Sequence, residues 1–154
     1  MRLVVQRVSR ASVEVGGDVK ARIGPGMAIL LGVEKGDTEE DAERLAGKLA
    51  RYRFFPDGEG RMNRSILESG GAALVVSQVT LARQPAKGLR PSFDSAAPPA
   101  EAERLYRHFA GALAAQGVRE VALGVFGAVM EVEIVNSGPV TFVLSSRREE
   151  GDET

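Results

Sequence analysis

Short apolar stretches bounded by Gly, Pro and Asn dominate this chain, and such stretches are typical of β-strands. Two of them flank Gly16-Gly17 and predict a hairpin, because paired glycines accept the positive φ values of a tight turn. The stretch from Met27 to Val33 is almost entirely apolar, which predicts a strand buried on both faces. A turn at 136–139 is predicted to join the last two strands. The sequence predicts strands at residues 3–8, 13–15, 19–23, 27–33, 74–81, 120–123, 129–135 and 140–144.

Only two segments place apolar residues at the 3.6-residue spacing of a helix. The first is expected to begin near Thr38, with Asp37 as its cap and Glu40 completing a capping box. The second is expected to begin at Pro98-Pro99 and to stop at Gly117. The apolar stripes consist of Ala42, Leu45, Ala46, Leu49 and Tyr52 in the first helix, and of Ala102, Leu105, Phe109, Ala112 and Leu113 in the second.

The strands come in runs with few alternations between strand and helix, and this order predicts an α+β fold. We expect a barrel-like, mostly antiparallel β-sheet flanked by two helices. A chain of 154 residues has the size of one domain, which we assign to residues 1–146. Residues 147–154 are rich in charge and are predicted to form a disordered polar tail.

The chain contains no cysteine and a single histidine, His108. Disulfides, thiolate zinc sites and cysteine nucleophiles are therefore excluded, and we expect neither a metal nor a cofactor. His108 lies beside the apolar stripe of the second predicted helix, where a packing or surface role is expected. A Ser-His-Asp triad stays formally open, because triads are defined by geometry and not by residue order.

The charge of the chain is nearly balanced, with 20 basic and 21 acidic residues and a formal net charge of −1. Proteins that bind along duplex nucleic acid usually carry a basic stripe, because their affinity comes largely from neutralising phosphates. Any nucleic-acid partner is therefore expected to be held over a short footprint, such as a strand terminus. The sequence shows neither a membrane span nor a signal peptide, so we expect a soluble, cytoplasmic protein without a membrane partner.

The segment Ser77-Gln78-Val79-Thr80 ends the predicted strand 74–81 with three polar side chains. In an alternating strand, Ser77 and Val79 share one face, and Gln78 and Thr80 share the other. Serine and threonine hydroxyls are weak nucleophiles without a neighbouring base, and the sequence offers no obvious base nearby. Backbone N–H groups at a strand end can instead stabilise an oxyanion. The alternative is a strand end that simply leaves the core, and both interpretations stay open.

The pair Gly138-Pro139 is by itself an ordinary turn former, flanked by the polar side chains of Asn136 and Thr141. Glycine before proline gives the backbone freedom to present its carbonyl groups outward. Weaker candidates for chemistry or for RNA contact are Asp57, Glu59, Glu68, Arg90 and Phe93.

A series of short segments extends over nearly the whole chain, from Met1 to about Ser145. They are LVVQRV at 3–8, ASV at 11–13, GRMN at 60–63, SQVTL at 77–81, KGLRPSF at 87–93, GVFGAVM at 124–130 and NSGPVT at 136–141. In this order and spacing they resemble the D-aminoacyl-tRNA deacylase (DTD) family, although each segment alone is weak. The resemblance implies the DTD-like fold.

The resemblance also implies an activity, a D-aminoacyl-tRNA deacylase that hydrolyses the ester between a D-amino acid and the terminal adenosine of tRNA. It implies removal of glycine from mischarged tRNA, rejection of L-aminoacyl-tRNA, and a homodimer with the active site at its interface. A Gly-cisPro motif, here Gly138-Pro139, would enter the pocket of the neighbouring subunit and exclude an L side chain with its backbone carbonyls. The ribose 2′-hydroxyl of the RNA would assist the attack of water.

The family's site residues map onto matching positions of this chain. Ser77, Gln78 and Thr80 are implied at the catalytic centre, where we favour a positioning role for Thr80 and an oxyanion held by N–H groups near Gln78 and Val79. Arg7 is implied as a support for the Gly-Pro loop. The implied substrate-binding residues are Gly138, Pro139, Val79, Phe126, Ala128, Met130 and Asn136.

The chain departs from the family at Val79, where the family most often has Phe, and at Ser137, where it often has Asp. Residues 82–85 also differ from the usual continuation. These departures leave the reaction class intact and bear on fine specificity. Two rival hypotheses are a non-catalytic RNA-end or small-molecule binding module on the same fold, and a generic esterase that uses Ser77 or Thr80 with His108.

Overall fold

A computed structural model describes residues 1–82 and 88–147 of the chain. Within these ranges it contains eight strands, three α-helices and one 3₁₀ turn, which confirms the predicted α+β class. The strands are β1 (Arg2–Val15), β2 (Asp18–Ile23), β3 (Gly26–Gly32), β4 (Phe55–Pro56), β5 (Met62–Arg64), β6 (Ala72–Ser77), β7 (Val121–Leu123) and β8 (Glu131–Ser145). The helices are α1 (Glu39–Arg51), α2 (Ile66–Ser69) and α3 (Pro99–Ala115), and the 3₁₀ turn is Val79–Leu81.

The long strand β1 organises the main sheet because it pairs with three other strands. Along one edge it is antiparallel to β8, and along the other it is antiparallel first to β3 and then to β2. β6 lies parallel to β3, and β7 lies parallel to β6, so the sheet is mixed. Because β2 also contacts β6 and β7, the sheet is curled into the predicted barrel-like form.

Two apolar clusters form the core, and alternate residues of β3 belong to one or the other. Met27 and Ile29 pack in the larger cluster with buried residues of α1 and α3, such as Leu49 and Phe109. Ala28 packs in the smaller cluster with residues of β1, β2 and β6. β3 is thus buried on both faces, as its apolar run predicted.

The helix α1 has a different cap from the one predicted. Its N-cap is Thr38, and the capping box is closed by Asp41 and not by Glu40. Asp37 is buried instead, and its carboxylate accepts the N–H of Glu34 over 2.7 Å. The carboxylate that the sequence pattern assigned to the cap of the helix is therefore hydrogen-bonded to the backbone of the preceding loop.

The helix α3 agrees with its prediction. Pro99 occupies the first turn, and Gly117 follows the helix with a φ of 111°, a value that favours glycine. Sequence periodicity did not predict the β4–β5 hairpin or α2, both of which lie between α1 and β6. These elements have two to four residues each, too few for a periodic signal.

The predicted strand 74–81 is too long. β6 ends at Ser77, opposite Leu31 of β3, and β3 itself ends one residue later at Gly32. With no further strand residue to pair with, the chain leaves the sheet through the Val79–Leu81 turn.

The predicted turn at 136–139 is wrong, because β8 does not reverse there. Gln6 pairs with Thr141 and Val8 pairs with Asn136, so one residue of β1 faces the four residues 137–140 of β8. Those four residues form a bulge, which we call the 137–140 bulge. Gly138 lies in it with a φ of 131°, a backbone conformation that L side chains rarely adopt.

The first residue of the predicted tail, Arg147, contacts the body of the protein. Its guanidinium lies 3.4 Å from the carboxylate of Glu34 and 3.6 Å from that of Asp37. The rest of the predicted tail, residues 148–154, lies outside the described residues, as do residues 83–87.

Candidate active site

A cavity of about 350 Å³ opens where β6 ends, between the Val79–Leu81 turn, the start of α3 and the loop 124–130. It brings together five predicted site residues, namely Ser77, Val79, Phe126, Ala128 and Met130. The other lining residues are Val33, Ala97, Pro99, Ala102 and Gly127. The lining is mostly apolar, and Ser77 is the lining residue with a polar side chain. We call this space the Ser77 cavity.

Gly32 sets how closely the Val79–Leu81 turn approaches β3. A Cβ at Gly32 would lie 2.8 Å from the Cβ of Leu81 and 3.0 Å from the carbonyl oxygen of Gln78. Both distances are shorter than ordinary van der Waals contact. A residue without a side chain is therefore needed where β3 ends, and it lets the turn lie beside the cavity.

The backbone N–H groups of this turn differ in whether they are already bonded. The N–H of Gln78 donates to the carbonyl oxygen of Leu31 over 2.8 Å, so the predicted oxyanion donor at Gln78 is engaged in the sheet. The N–H groups of Val79 and Thr80 open the 3₁₀ turn and have no acceptor within residues 1–82 and 88–147.

Gln78 and Thr80 do not line the Ser77 cavity, and they contact each other. The Nε2 of Gln78 donates to the Oγ1 of Thr80 over 2.6 Å. Ser77 and Val79 share the cavity as the sequence predicted, but a turn and not strand alternation is responsible. Among the described residues, no carboxylate or imidazole is hydrogen-bonded to the hydroxyl of Ser77 or Thr80.

Tyr106 of α3 packs against Phe126, one of the lining residues of the Ser77 cavity, and sequence reasoning missed it. Its buried hydroxyl donates to the carbonyl oxygen of Val75 in β6 over 3.0 Å and lies 3.4 Å from that of Gly124, where the loop 124–130 begins. Its ring centroid is 5.8 Å from that of Phe126. Burial raises the pKa of Tyr106 to about 12, so the hydroxyl remains a neutral donor at physiological pH.

Gly138 and Pro139 are exposed in the 137–140 bulge and do not line the Ser77 cavity of their own chain. The peptide bond between them is cis. The Nε of Arg7 donates to the carbonyl oxygen of Ser137 over 3.1 Å, and its Nη1 donates to the carbonyl oxygen of Phe54 over 2.8 Å. Arg7 therefore ties the bulge to the segment that follows α1.

Asn136 stabilises the other end of the bulge. Its Oδ1 accepts the N–H of Val140 over 3.1 Å, and its Nδ2 donates to the Oγ1 of Thr141 over 3.2 Å. A Cβ at Gly138 would lie 2.7 Å from the Cγ2 of Val140. The predicted site residues thus form two groups on one chain, one around the Ser77 cavity and one at the bulge.

His108 belongs to neither group. Its Nε2 lies 2.9 Å from the Oε1 of Glu43 on α1, and it lines a separate depression between the two helices.

In the parts of the chain that the structure describes, no cluster of three or more His, Asp or Glu residues could hold a metal ion. No helix within those parts is long and apolar enough to cross a membrane.

The weak carboxylate candidates have structural roles or lie at the surface. Asp57 accepts the N–H groups of Glu59 and Arg61 in the β4–β5 loop, and these bonds hold its pKa below the usual range. Glu68 accepts the N–H of Ser65 in the capping box of α2, which likewise lowers its pKa. Neither these two carboxylates nor that of Glu59 line the Ser77 cavity.

The chain matches the family model described as D-Tyr-tRNA(Tyr) deacylase over residues 4–145. A D-aminoacyl-tRNA deacylase of Ruegeria pomeroyi is 57% identical over 141 residues, which cover 92% of this chain and 97% of the relative. One of Dehalococcoides mccartyi is 54% identical over 147 residues, which cover 96% of this chain and 95% of the relative.

Two solved structures share the fold. One described as c-Myc DNA Unwinding Element Binding Protein has a TM-score of 0.90 at 39% identity and covers 96% of this chain and 100% of its own. A probable eukaryotic D-amino acid tRNA deacylase has a TM-score of 0.76 at 19% identity, covers 93% of this chain and 97% of its own, and supports the fold alone. The chain therefore belongs to the D-Tyr-tRNA(Tyr) deacylase family and is a hydrolase of the D-aminoacyl-tRNA deacylase class.

Proposed function

We propose that this protein hydrolyses the ester that joins a D-amino acid or glycine to the terminal adenosine of tRNA, and that it leaves L-aminoacyl-tRNA intact. The observation that carries the proposal is the Ser77 cavity, whose wall includes Val79. The N–H groups of Val79 and of the next residue, Thr80, have no acceptor in the described chain. Family membership supports the substrate class. Because aminoacyl-tRNA is a cytoplasmic substrate, we assign the protein to the cytoplasm.

Hydrolysis needs a nucleophile, stabilisation of the negative charge on the carbonyl oxygen, and a proton for the leaving oxygen. We assign charge stabilisation to the N–H groups of Val79 and Thr80, a type of contact whose loss costs about 3 kcal/mol per donor in other hydrolases. Water attacks the carbonyl carbon, the bond to the ribose 3′-oxygen breaks, and that oxygen leaves as a hydroxyl with a free amino acid as the other product. The ribose 2′-hydroxyl assists proton transfer, because no side-chain base contacts Ser77 or Thr80 in the described residues.

Stereoselectivity is assigned to the 137–140 bulge of a second chain, inserted into the Ser77 cavity. Three features support this assignment: Gly138 and Pro139 in the bulge are exposed, the bulge does not line the cavity of its own chain, and Arg7 fixes its backbone. Its carbonyl oxygens would accept hydrogen bonds from the ammonium group of the substrate. They would also occupy the space into which an L side chain projects. Glycine has no side chain to exclude and is cleaved as well. The site is complete only in a homodimer.

The direct test compares matched substrates with the purified protein. We expect release of D-tyrosine from D-Tyr-tRNA and of glycine from Gly-tRNA, with L-Tyr-tRNA remaining at its spontaneous rate of hydrolysis. Equal cleavage of the two enantiomers, or cleavage of neither, refutes the proposal. A D-Tyr-tRNA that ends in 2′-deoxyadenosine should turn over poorly, and normal turnover of it contradicts the RNA-assisted mechanism.

A second candidate function is nucleic-acid binding without catalysis. One similar structure is described as a DNA element binding protein, and this favours the candidate. The formal net charge of −1 disfavours binding along duplex DNA, whose affinity depends on neutralised phosphates. The hydrolysis assay described above separates the two functions, because a module that only binds RNA ends releases no amino acid from D-Tyr-tRNA. The esterase that would use His108 lacks support, since His108 pairs with Glu43 outside the cavity.

A further inference from the structure

A second depression, of about 470 Å³, adjoins the Ser77 cavity, and the proposed reaction does not use it. The two spaces share the residues Val79, Ala97 and Pro99. A ligand whose end lies in the Ser77 cavity can therefore continue over these residues into the depression. Three side chains with distinct chemistry contribute to its wall: Lys35, Phe93 and Asp94.

The segment that carries Phe93 is fixed to the loop that follows β3. The N–H of Lys35 donates to the carbonyl oxygen of Ser95 over 3.0 Å, and Glu34 forms an isolated antiparallel bridge with Ala96. The N–H of Ala96 also donates to the carbonyl oxygen of Phe93 over 3.0 Å. These bonds hold Phe93 and Lys35 at the same depression before any ligand binds.

The side chains of the depression are available for binding. Phe93 leaves 55% of its surface exposed and has no aromatic partner among the described residues. An exposed ring forgoes the stabilisation that burial would give it. Lys35 and Asp94 are exposed as well, and Lys35 has no ion-pair partner within residues 1–82 and 88–147.

We propose that this depression binds the nucleotide that precedes the terminal adenosine of the aminoacylated RNA, a proposal that rests on the proposed function. The base stacks on Phe93, as bases of single-stranded RNA do on exposed aromatic side chains. The Lys35 ammonium pairs with the phosphate. The Asp94 carboxylate accepts from an exocyclic amino group of the base, which favours cytosine over uracil at this position.

The test compares D-Tyr-tRNA with D-tyrosyl-adenosine, which lacks the preceding nucleotide. Phe93→Ala should raise KM for the tRNA about tenfold, the effect of one lost base–aromatic stack, and leave kcat unchanged. Both constants for the adenosine ester should stay at their wild-type values. The matched control for Phe93→Ala is Leu89→Ala, because Leu89 is a fully exposed apolar residue outside the depression. The matched control for Lys35→Ala is Lys20→Ala, because Lys20 is an exposed lysine outside the depression. An equal loss on both substrates, or no loss on the tRNA, overturns the proposal.

Binding of uncharged RNA gives a readout that does not depend on turnover and so separates this proposal from the proposed function. Calorimetry with the trinucleotide C-C-A should show an affinity about tenfold weaker for Phe93→Ala than for the wild type. Affinity for adenosine alone should be the same for both proteins. Exchange of the middle cytidine for uridine should weaken wild-type binding and have no effect on Asp94→Ala. Equal trinucleotide affinity in the wild type and Phe93→Ala overturns the proposal even if no ester is cleaved.

Discussion

The residues around Ser77 contribute to the site in two different ways. Ser77 and Val79 supply side chains to the cavity, whereas Val79 and Thr80 supply backbone N–H groups without acceptors in the described chain. The hydroxyl of Thr80 is already the acceptor of the Gln78 amide. The proposed function therefore assigns the chemistry of the site to the backbone of the turn and predicts a positioning role for Thr80.

Thr80→Val tests this assignment, because it removes the hydroxyl and keeps the shape of the side chain. We expect kcat/KM for D-Tyr-tRNA to fall by less than about tenfold, since the N–H of residue 80 remains. The matched control is Ser77→Ala, which removes the hydroxyl of a residue that does line the cavity. A larger loss in the Thr80 variant would contradict this assignment and show that the hydroxyl takes part in the reaction.

Tyr106→Phe tests whether the buried hydroxyl joins β6 to the loop 124–130. The variant keeps the ring against Phe126 but loses the bond to Val75, so we expect a loss of about 1 kcal/mol in the free energy of unfolding near pH 8. The measurement is the urea denaturation midpoint.

The pH dependence supplies a second readout for Tyr106. Its folded pKa of about 12 lies above the ordinary value of 10.0, so the stability linked to the neutral hydroxyl is complete below pH 10 and is lost as the pH rises toward 12. The wild type should therefore lose stability across this range faster than Tyr106→Phe. Parallel pH profiles for the two proteins would contradict this account.

Single-residue chemistry could be predicted from the sequence only in part. The absence of cysteine and the position of His108 directed attention to the backbone, which stays a prediction, and five residues of the family motifs line the cavity. Tyr106 was missed because a tyrosine on a helical stripe resembles any core residue. The occupied N–H of Gln78 was missed because it depends on where β6 meets β3.

At the scale of elements, hydrophobic periodicity predicted α1, α3, the β1–β2 hairpin and the doubly buried β3. Periodicity failed where the end of a strand is determined by the strand that pairs with it. β6 stops because β3 stops at Gly32, and β8 continues past Gly138 because β1 still pairs with it on both sides of the bulge. Neither fact is encoded in the local pattern of residues 74–81 or 136–139.

Gly32→Ala tests the element-level claim that Gly32 positions the Val79–Leu81 turn. The added methyl group would lie 2.8 Å from the Cβ of Leu81, so we expect a destabilisation of about 1–3 kcal/mol and a lower kcat. The matched control is Gly111→Ala in α3, where no atom lies within 4 Å of the new Cβ and a gain of about 0.5–1 kcal/mol is expected. Unchanged stability and activity in Gly32→Ala would show that the turn does not depend on this contact.

At the scale of the whole molecule, the chain holds its two groups of predicted site residues apart. The Ser77 cavity lies at the end of β6, and the 137–140 bulge lies in the middle of β8 and lines no part of that cavity. The sequence resemblance predicted that the bulge acts on a neighbouring subunit, and the geometry of one chain is compatible with that prediction. An isologous dimer would bring each bulge to the cavity of the other chain and form two equivalent sites.

A hybrid dimer tests most directly the central claim that each site combines the cavity of one chain with the bulge of the other. One chain carries Pro139→Trp, which places a large ring in the partner's cavity, and the other carries Ala128→Trp, which fills its own cavity. Each variant is first checked for wild-type unfolding behaviour and tested as a homodimer, where we expect no hydrolysis of D-Tyr-tRNA. In the hybrid, purified through two different tags, one site combines an intact cavity with an intact bulge, so we predict about half of the wild-type activity per dimer with full D-selectivity. An inactive hybrid or an active Pro139→Trp homodimer would contradict the account.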